Sequence, residues 1–542
     1  MVDNPEVGVI GYGVALPARK LDTGSLVRLR EGQKQNLKEL IEKVQNGLGL
    51  NNKMIAGPGE DTITFATEAA ENAVKMSGIN PSAIDSVLAG SESKPYAVGQ
   101  IARHAASFIG AGNRVLSLDT EAACNPTFEN LFLAYCAIAA RKIDFALVIG
   151  ADVSQAPKGD PLEYAAGAGA GAFVVGWENP VASIIDFSYY STLTPDFWRR
   201  EGQPVPKHFG RTTVEAYISH VIGAIQNMMD SHPEITLSDF DYITFHQPSA
   251  YMPLKTAKIF SGLDEKMKAE DVLQDTRHLD RMKLTREEID EKIKPTLVVP
   301  ETGNTYAAAT SIATVKTFDM SKPGQNILAV SYGSGAHTTA AWFRVEEEIK
   351  KKRGSVPSYQ DYLNRRISIT IPEYLALQGR KTFGIDFPRY VGTIEPIPAS
   401  GEIYESFCDE CKSIYYPARE KCLNPDDRQP LIQKTFPKLG ALKSSRKLPK
   451  IDRIIAYDIL SNHEVALVSS KDGDLTTGSE VEYTLKRIYA HGATGIIIYA
   501  MAYQPKFRTN FRAFRKELSE SLYQPIVPAM SAMTTSSLET RN

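Results

Sequence analysis

The feature that most restricts the fold of this chain is a pattern that occurs twice. Short apolar runs of strand length alternate with Ala-rich stretches of helical length, and several of the runs end on a chemically competent residue. In the first half, Ser86-Val87-Leu88-Ala89 leads to Glu92, and Val115-Leu116-Ser117-Leu118 leads through Thr120-Glu121-Ala122-Ala123 to Cys124. Phe145-Ala146-Leu147-Val148-Ile149 then ends at Gly150-Ala151. In the second half, Tyr242-Ile243-Thr244-Phe245 leads to His246, Thr296-Leu297-Val298-Val299 to Asn304, and Ile327-Leu328-Ala329-Val330 to the turn Ser331-Tyr332-Gly333-Ser334-Gly335. Such alternation over residues 7 to about 345 predicts a layered α/β architecture. Two related halves, about 7–180 and 181–347, can bring their strand ends to one crevice. The repeat is imperfect, because charged sequence at 264–294 intervenes in the second half and reads as surface helices.

Cys124 precedes a helix-like run from Pro126 to Arg141, a place where free N–H groups and the helix dipole favour a thiolate. Taken singly, each candidate has a plain structural reading. Cys124 would be a small buried hydrophobe, His246 a satisfied core residue, Glu92 a helix cap and Asn304 an N-cap. Cys136, inside the apolar run Leu131-Phe132-Leu133-Ala134-Tyr135, is expected to pack. Together, a thiol, a carboxylate, an imidazole and an amide at matching positions suit acyl transfer: the nucleophile needs a proton acceptor and the acyl intermediate needs donors. The Gly333-Ser334-Gly335 turn is a candidate oxyanion hole. Two glycine-rich stretches, Gly8-Val9-Ile10-Gly11-Tyr12-Gly13 and Gly167-Ala168-Gly169-Ala170-Gly171, lack the strand-to-helix context of a dinucleotide loop and read as close backbone packing.

A formal net charge of −3 with 43% hydrophobic residues speaks against nucleic acid as a partner. No apolar run reaches the roughly 18 residues of a membrane span, and the N-terminus lacks signal-peptide regions, so a cytoplasmic location is expected. Beyond a linker at 388–398 the composition changes. Five cysteines, three of them at Cys408, Cys411 and Cys422, make a poor disulfide framework. Cys408-x-x-Cys411 with Cys422 is a zinc-knuckle spacing in which Pro425 stands where a fourth cysteine would be, so zinc with water or Asp426 as fourth ligand and a metal-free ribbon both remain open. The β-like runs at 453–459, 464–469, 481–488 and 495–499 suggest a small barrel, and 529–542 a disordered tail.

Several separate stretches carry a family resemblance: Ala56-Gly57-Pro58-Gly59-Glu60-Asp61-Thr62, Gly90-Ser91-Glu92-Ser93-Lys94-Pro95-Tyr96-Ala97-Val98, Ala122-Ala123-Cys124, Gly159-Asp160-Pro161-Leu162-Glu163-Tyr164, Thr194-Pro195-Asp196-Phe197-Trp198-Arg199-Arg200 and Phe245-His246-Gln247-Pro248. On these, residues 7–381 resemble archaeal-type hydroxymethylglutaryl-CoA synthase of the thiolase superfamily. The resemblance implies a duplicated five-layer αβαβα fold, a homodimer or dimer of dimers, and condensation of acetyl-CoA with acetoacetyl-CoA. It assigns Cys124 as the acetyl carrier, Glu92 as the acid–base, and His246 with Asn304 as the groups that position the acceptor. No cofactor is implied for catalysis beyond the coenzyme A thioesters themselves, and Lys207, Arg211 and Lys255 are candidate contacts for the coenzyme A phosphates. Residues 382–430 and 431–528 resemble the zinc-ribbon and OB-fold proteins that accompany such enzymes, which implies a complex with acetoacetyl-CoA thiolase. Lys94 and Ser249-Ala250-Tyr251 depart from the family pattern, as does 26–47, and leave the acceptor open. A thiolase or ketoacyl-synthase-III-like enzyme with another acceptor is the alternative, and a non-catalytic scaffold a further one.

Overall fold

In the computed structural model, nine strands form one mixed sheet: β1 (Gly8–Ala15), β2 (Ser86–Gly90), β3 (Leu116–Thr120), β4 (Ala146–Val153), β5 (Ala168–Gly176), β6 (Ala182–Thr194), β7 (Tyr242–Phe245), β8 (Asn326–Gly333) and β9 (Gly335–Val345). The structure describes residues 7–380 except Pro58, together with isolated strand segments between 404 and 505. Across the sheet the order is β7-β8-β9-β6-β1-β5-β4-β2-β3. The two halves meet where Gly8 and Val9 of β1 pair with Ser183 and Ala182 of β6. From that seam outward, each half sets its first strand beside its last and then the strand before that; the first half continues through β2 to β3 at the edge.

The second half has one strand fewer. The expected strand at Thr296-Val299 is instead a 3-10 turn, Lys294–Thr296, and a short helix, Val299–Thr302. Pro295 and Pro300 bracket the segment; neither can donate to a ladder, and proline suits the first turn of a helix. The Gln247 side chain does what a neighbouring strand would have done. Its Oε1 accepts from the N–H groups of Val298 and Val299 at 2.8 and 3.1 Å, and its Nε2 donates to the Thr296 carbonyl at 3.1 Å. The charged segment 264–294 forms short helical turns, as expected.

Helices α1 (Thr62–Ser77), α2 (Pro126–Ala139), α3 (Gly210–Ser231) and α4 (Ala309–Met320) cover the strands. Asp61 caps α1 with a capping box, and Gly78 ends it in the left-handed region at φ 76°. Helix α4 is buried on nearly every face and touches strands of both halves, so it lies inside the molecule. Close approach of helix to strand explains the glycine-rich runs. A Cβ on Gly13 would lie 2.3 Å from the Ala69 carbonyl of α1, and one on Gly171 would lie 2.5 Å from Ser311 Oγ of α4. Gly13→Val is expected to destabilise the protein by about 3 kcal/mol, read from urea unfolding, because the obstructing atom is backbone and cannot turn aside.

Backbone contacts divide the chain into 1–402 with 438–507, and 403–437 with 508–542. In the second unit, Tyr404–Phe407 pairs antiparallel with Ile414–Tyr415 and Ile432–Thr435. In the first, Glu480–Ala490 pairs with Leu439–Ala441 and Ile497–Pro505, and Arg453–Tyr457 forms a hairpin with Glu464–Val468. The expected zinc ligands Cys408, Cys411 and Cys422, the linker at 388–398 and the tail lie outside the described residues. Among the described residues, no helix is long and apolar enough to cross a membrane.

Candidate active site

Cys124 sits in the connection between β3 and α2, and its Sγ donates to Glu92 Oε1 at 3.0 Å. The connection turns sharply: Ala123 takes φ 46°, its N–H held by Glu121 Oε1 at 2.9 Å. A non-glycine residue there carries backbone strain of the kind that collects at functional sites. Only 6% of Cys124 is exposed. Burial, followed by the neighbouring Glu92 charge, pushes its thiol well above the ordinary range. This corrects the expectation from helix position alone: desolvation and a carboxylate neighbour outweigh the helix dipole, and the resting site is a thiol beside a carboxyl group.

Glu92 is itself held high, first by burial and then by the charge of Asp152, with the Cys124 hydrogen bond acting in the opposite direction. A carboxyl group poised nearer neutrality can both take and return a proton at physiological pH. Its position is set by Asp152 of β4, which is fully buried. Asp152 Oδ1 accepts from Ser91 Oγ, Glu92 N, Ser93 N and Ser93 Oγ at 2.6 to 3.0 Å, and Oδ2 accepts from Ala307 N at 2.8 Å. One carboxylate thus ties the Glu92 loop to the turn that follows Asn304.

His246 is 1% exposed, and burial lowers its pKa to about 3, so it works as a neutral imidazole. Its carbonyl accepts from Tyr217 Oη at 2.7 Å, while its buried Nδ1 has no partner among the described residues. Asn304 is 5% exposed. Its Oδ1 accepts from Tyr306 N at 3.0 Å, which leaves Nδ2 as the end oriented to donate to a ligand. The Gly333 turn packs on the Cys124 connection: a Cβ there would fall 2.6 Å from the Ala122 carbonyl oxygen. Ser334 hydrogen-bonds Tyr332. Buried Asp196 fixes the same turn by accepting from Gly335 N at 2.7 Å and Tyr332 Oη at 3.2 Å.

The structure therefore joins Cys124 directly to Glu92, with Asn304 linked to them through Ala307 and Asp152, and Gly333 against the same connection. The proposed cationic contacts divide differently. Lys207 and Arg211 are exposed, Arg211 Nε lying 3.1 Å from Glu215 one turn along. Lys255 Nζ lies 2.8 Å from Asp264, with side chains only 10% and 11% exposed, a nearly buried ion pair. Cys136 is a correction, being exposed on α2 rather than packed. Sequence reasoning passed over Asp152 and Asp196 as separate participants. An acid within the otherwise apolar run Ala146–Val153 was the available signal for the first. Among the described residues, no group of three or more His, Cys, Asp or Glu side chains is arranged to hold a metal.

Comparison with known proteins identifies the family. Residues 252–383 match the family model described as hydroxymethylglutaryl-coenzyme A synthase C terminal. The chain is 36% identical over 386 residues to the hydroxymethylglutaryl-CoA synthase of Methanopyrus kandleri, covering 71% of this chain and 100% of that one. It is 36% identical over 374 residues to the enzyme of the same name from Methanothermobacter thermautotrophicus, covering 69% and 98%. Among solved structures it is similar in fold to MvaS in complex with 3-hydroxy-3-methylglutaryl coenzyme A, at TM-score 0.61 and 22% identity over 76% of this chain and 99% of that chain. It is also similar to PksG, an HMG-CoA synthase from Bacillus subtilis, at TM-score 0.58 and 21% identity over 68% and 87%. With relatives this similar over nearly their whole length, the chain belongs to the hydroxymethylglutaryl-CoA synthase family and is an acyl-condensing enzyme.

Proposed function

We propose that this enzyme condenses acetyl-CoA with acetoacetyl-CoA to 3-hydroxy-3-methylglutaryl-CoA through an acetyl group carried on Cys124. The observation that carries the mechanism is the 3.0 Å contact between Cys124 Sγ and Glu92. Cys124 attacks the acetyl thioester while its Sγ is held by Glu92 Oε1, and the thiol proton is carried off by the departing coenzyme A sulfur. Glu92, as a carboxylate, then removes a methyl proton from the acetyl-enzyme. The enolate carbon bonds to the ketone carbon of acetoacetyl-CoA, and Glu92 returns the proton to the alkoxide. Water then cleaves the Cys124 thioester, releasing the free carboxylate of the product and restoring the thiol.

Neutral His246 and the Asn304 amide are suited to hold the acceptor's thioester oxygen by hydrogen bonds rather than by charge. The Gly333-Ser334 turn serves as the oxyanion site for the acetyl thioester, and Lys207 and Arg211 meet the coenzyme A phosphates. We read the two parts of the sheet, joined only at the short β1–β6 pairing and with α4 buried inside the molecule, as the two β layers of a five-layer αβαβα body. Leu116 and Leu118, 64% and 41% exposed on the edge strand β3, support a homodimer formed by edge pairing. The antiparallel strands between 404 and 505 support a zinc-ribbon and OB-fold part, with zinc-bound and metal-free ribbons both open, and we read it as the site of a complex with acetoacetyl-CoA thiolase in a cytoplasmic enzyme.

The test incubates the purified chain with both substrates and identifies products by mass spectrometry. Wild type is expected to form 3-hydroxy-3-methylglutaryl-CoA and Cys124→Ala none above background. Acetylation of Cys124 without that product would refute the assigned acceptor, and product formation by Cys124→Ala would refute the covalent route.

A further inference from the structure

Glu92 is held from two sides. Behind it stands Asp152; in front stands a residue from the other half of the chain. Arg199 Nη2 donates to the Glu92 carbonyl at 2.8 Å, and Nη1 donates to Gln155 Oε1 at 2.8 Å. The Gln155 carbonyl in turn accepts from Tyr306 Oη at 2.8 Å, and the Tyr306 ring meets Phe197 edge-on at 5.9 Å between centroids. Phe197 lies two residues before Arg199, so the contacts close a ring: Arg199, Gln155, Tyr306, Phe197 and back to Arg199.

The ribbon that carries Arg199 is anchored on both flanks. Phe197–Trp198 pairs with Lys207–His208, and His208 Nε2 lies 3.1 Å from Asp160 Oδ1. Asp196, immediately before the ribbon, is bound to Tyr332 and Gly335 on the second-half turn. An anchored ribbon has little freedom to move its arginine. The guanidinium presents a planar fork with two groups already fixed, and a lysine cannot reproduce that geometry.

We propose that Arg199 is a positioning residue for the condensation step, a clamp from the second half that fixes the Glu92 backbone and thereby aims its carboxylate at the acetyl methyl group. The inference rests on Glu92 as the proton-transfer group. The groups that face Glu92 are Asp152, Cys124, Glu121, Tyr306 and Arg199, and among these Arg199 is the cation. Its removal therefore loosens the loop and also leaves Glu92 facing acids alone. Arg199 is exposed, so its substitution opens no cavity in the core.

The experiment compares wild type, Arg199→Gln, Arg199→Lys and Glu92→Gln as full-length chains. Cys124 acetylation by acetyl-CoA is followed by intact mass, and condensation of the acetyl-enzyme with acetoacetyl-CoA by single-turnover quench across pH. Arg199→Gln is expected to acetylate within about twofold of wild type and to condense about ten- to a hundredfold more slowly, the cost of a misplaced catalytic group. The rising limb of its pH profile moves to higher pH with an unchanged melting temperature. Arg199→Lys is expected to return that limb toward wild type while recovering only part of the rate. Wild-type condensation by Arg199→Gln overturns the proposal, as does a raised KM for acetoacetyl-CoA at unchanged kcat and pH profile, which would make Arg199 an anion contact. Wild-type condensation by Glu92→Gln removes the underlying reading itself, a separate result because Arg199 is intact in that variant.

Discussion

Glu92→Gln is expected to lower condensation by about 10²–10⁴-fold, the range for loss of a general acid–base. Acetylation should fall much less. Glutamine keeps an oxygen to accept from the Cys124 thiol, so the nucleophile stays in place, but it cannot take a methyl proton or return one to an alkoxide. The expected phenotype is an acetyl-enzyme that accumulates and persists. Single-turnover mass measurement reads this directly, and equal loss of both half-reactions would refute a role specific to condensation. The same variant should change stability with a definite sign. The folded carboxyl group titrates above its unfolded value, so the native state binds more protons than the unfolded state and wild-type stability falls as pH rises beyond the ordinary glutamate range. Below that range both states are protonated and the cost vanishes. Glu92→Gln should therefore melt higher than wild type at pH 8 and alongside it at pH 4.

Much of this site was legible because strand ends are where an open α/β sheet gathers its chemistry. Residues Glu92, Cys124 and His246 each follow a strand that formed within a residue or two of its expected bounds. Asn304 reached the site by another route. A β-branched run argued for a strand, but Pro295 and Pro300 forbade one, and the Gln247 amide took over its backbone groups. Local propensity cannot report such a substitution, because the partner lies some fifty residues away in sequence. The thiol's state was misread for a related reason. Helix position is visible in the chain, whereas burial and the approach of Glu92 exist only once β2 and β3 pair. The Asp264 partner of Lys255 was hidden in the same way, since it meets the lysine only across a turn of the folded chain.

Asp152 illustrates the point most fully, and its loss is expected to have the largest effect on stability. Its side chain accepts from three backbone N–H groups and two serine hydroxyls, all of them buried or partly buried. The hydroxyls have other outlets, since Ser93 Oγ also lies 3.1 Å from Thr62 Oγ1. The backbone donors of Glu92, Ser93 and Ala307 do not rotate. Ser93 N–H keeps Ser91 Oγ at 3.1 Å, so at about 1–3 kcal/mol for each buried donor left without an acceptor, those of Glu92 and Ala307, Asp152→Ala should cost about 2–6 kcal/mol, a large share of the 5–15 kcal/mol typical of a folded domain. Asp152→Asn keeps one acceptor oxygen for the Glu92 loop but turns an NH₂ group toward Ala307 N–H, so it should fold and lose the tie between Glu92 and the Asn304 turn. The pair separates two roles. If Asp152 serves only the fold, Asp152→Asn condenses at the wild-type rate once folded; if it aligns the proton-transfer group with the acceptor site, condensation falls while Cys124 still acetylates.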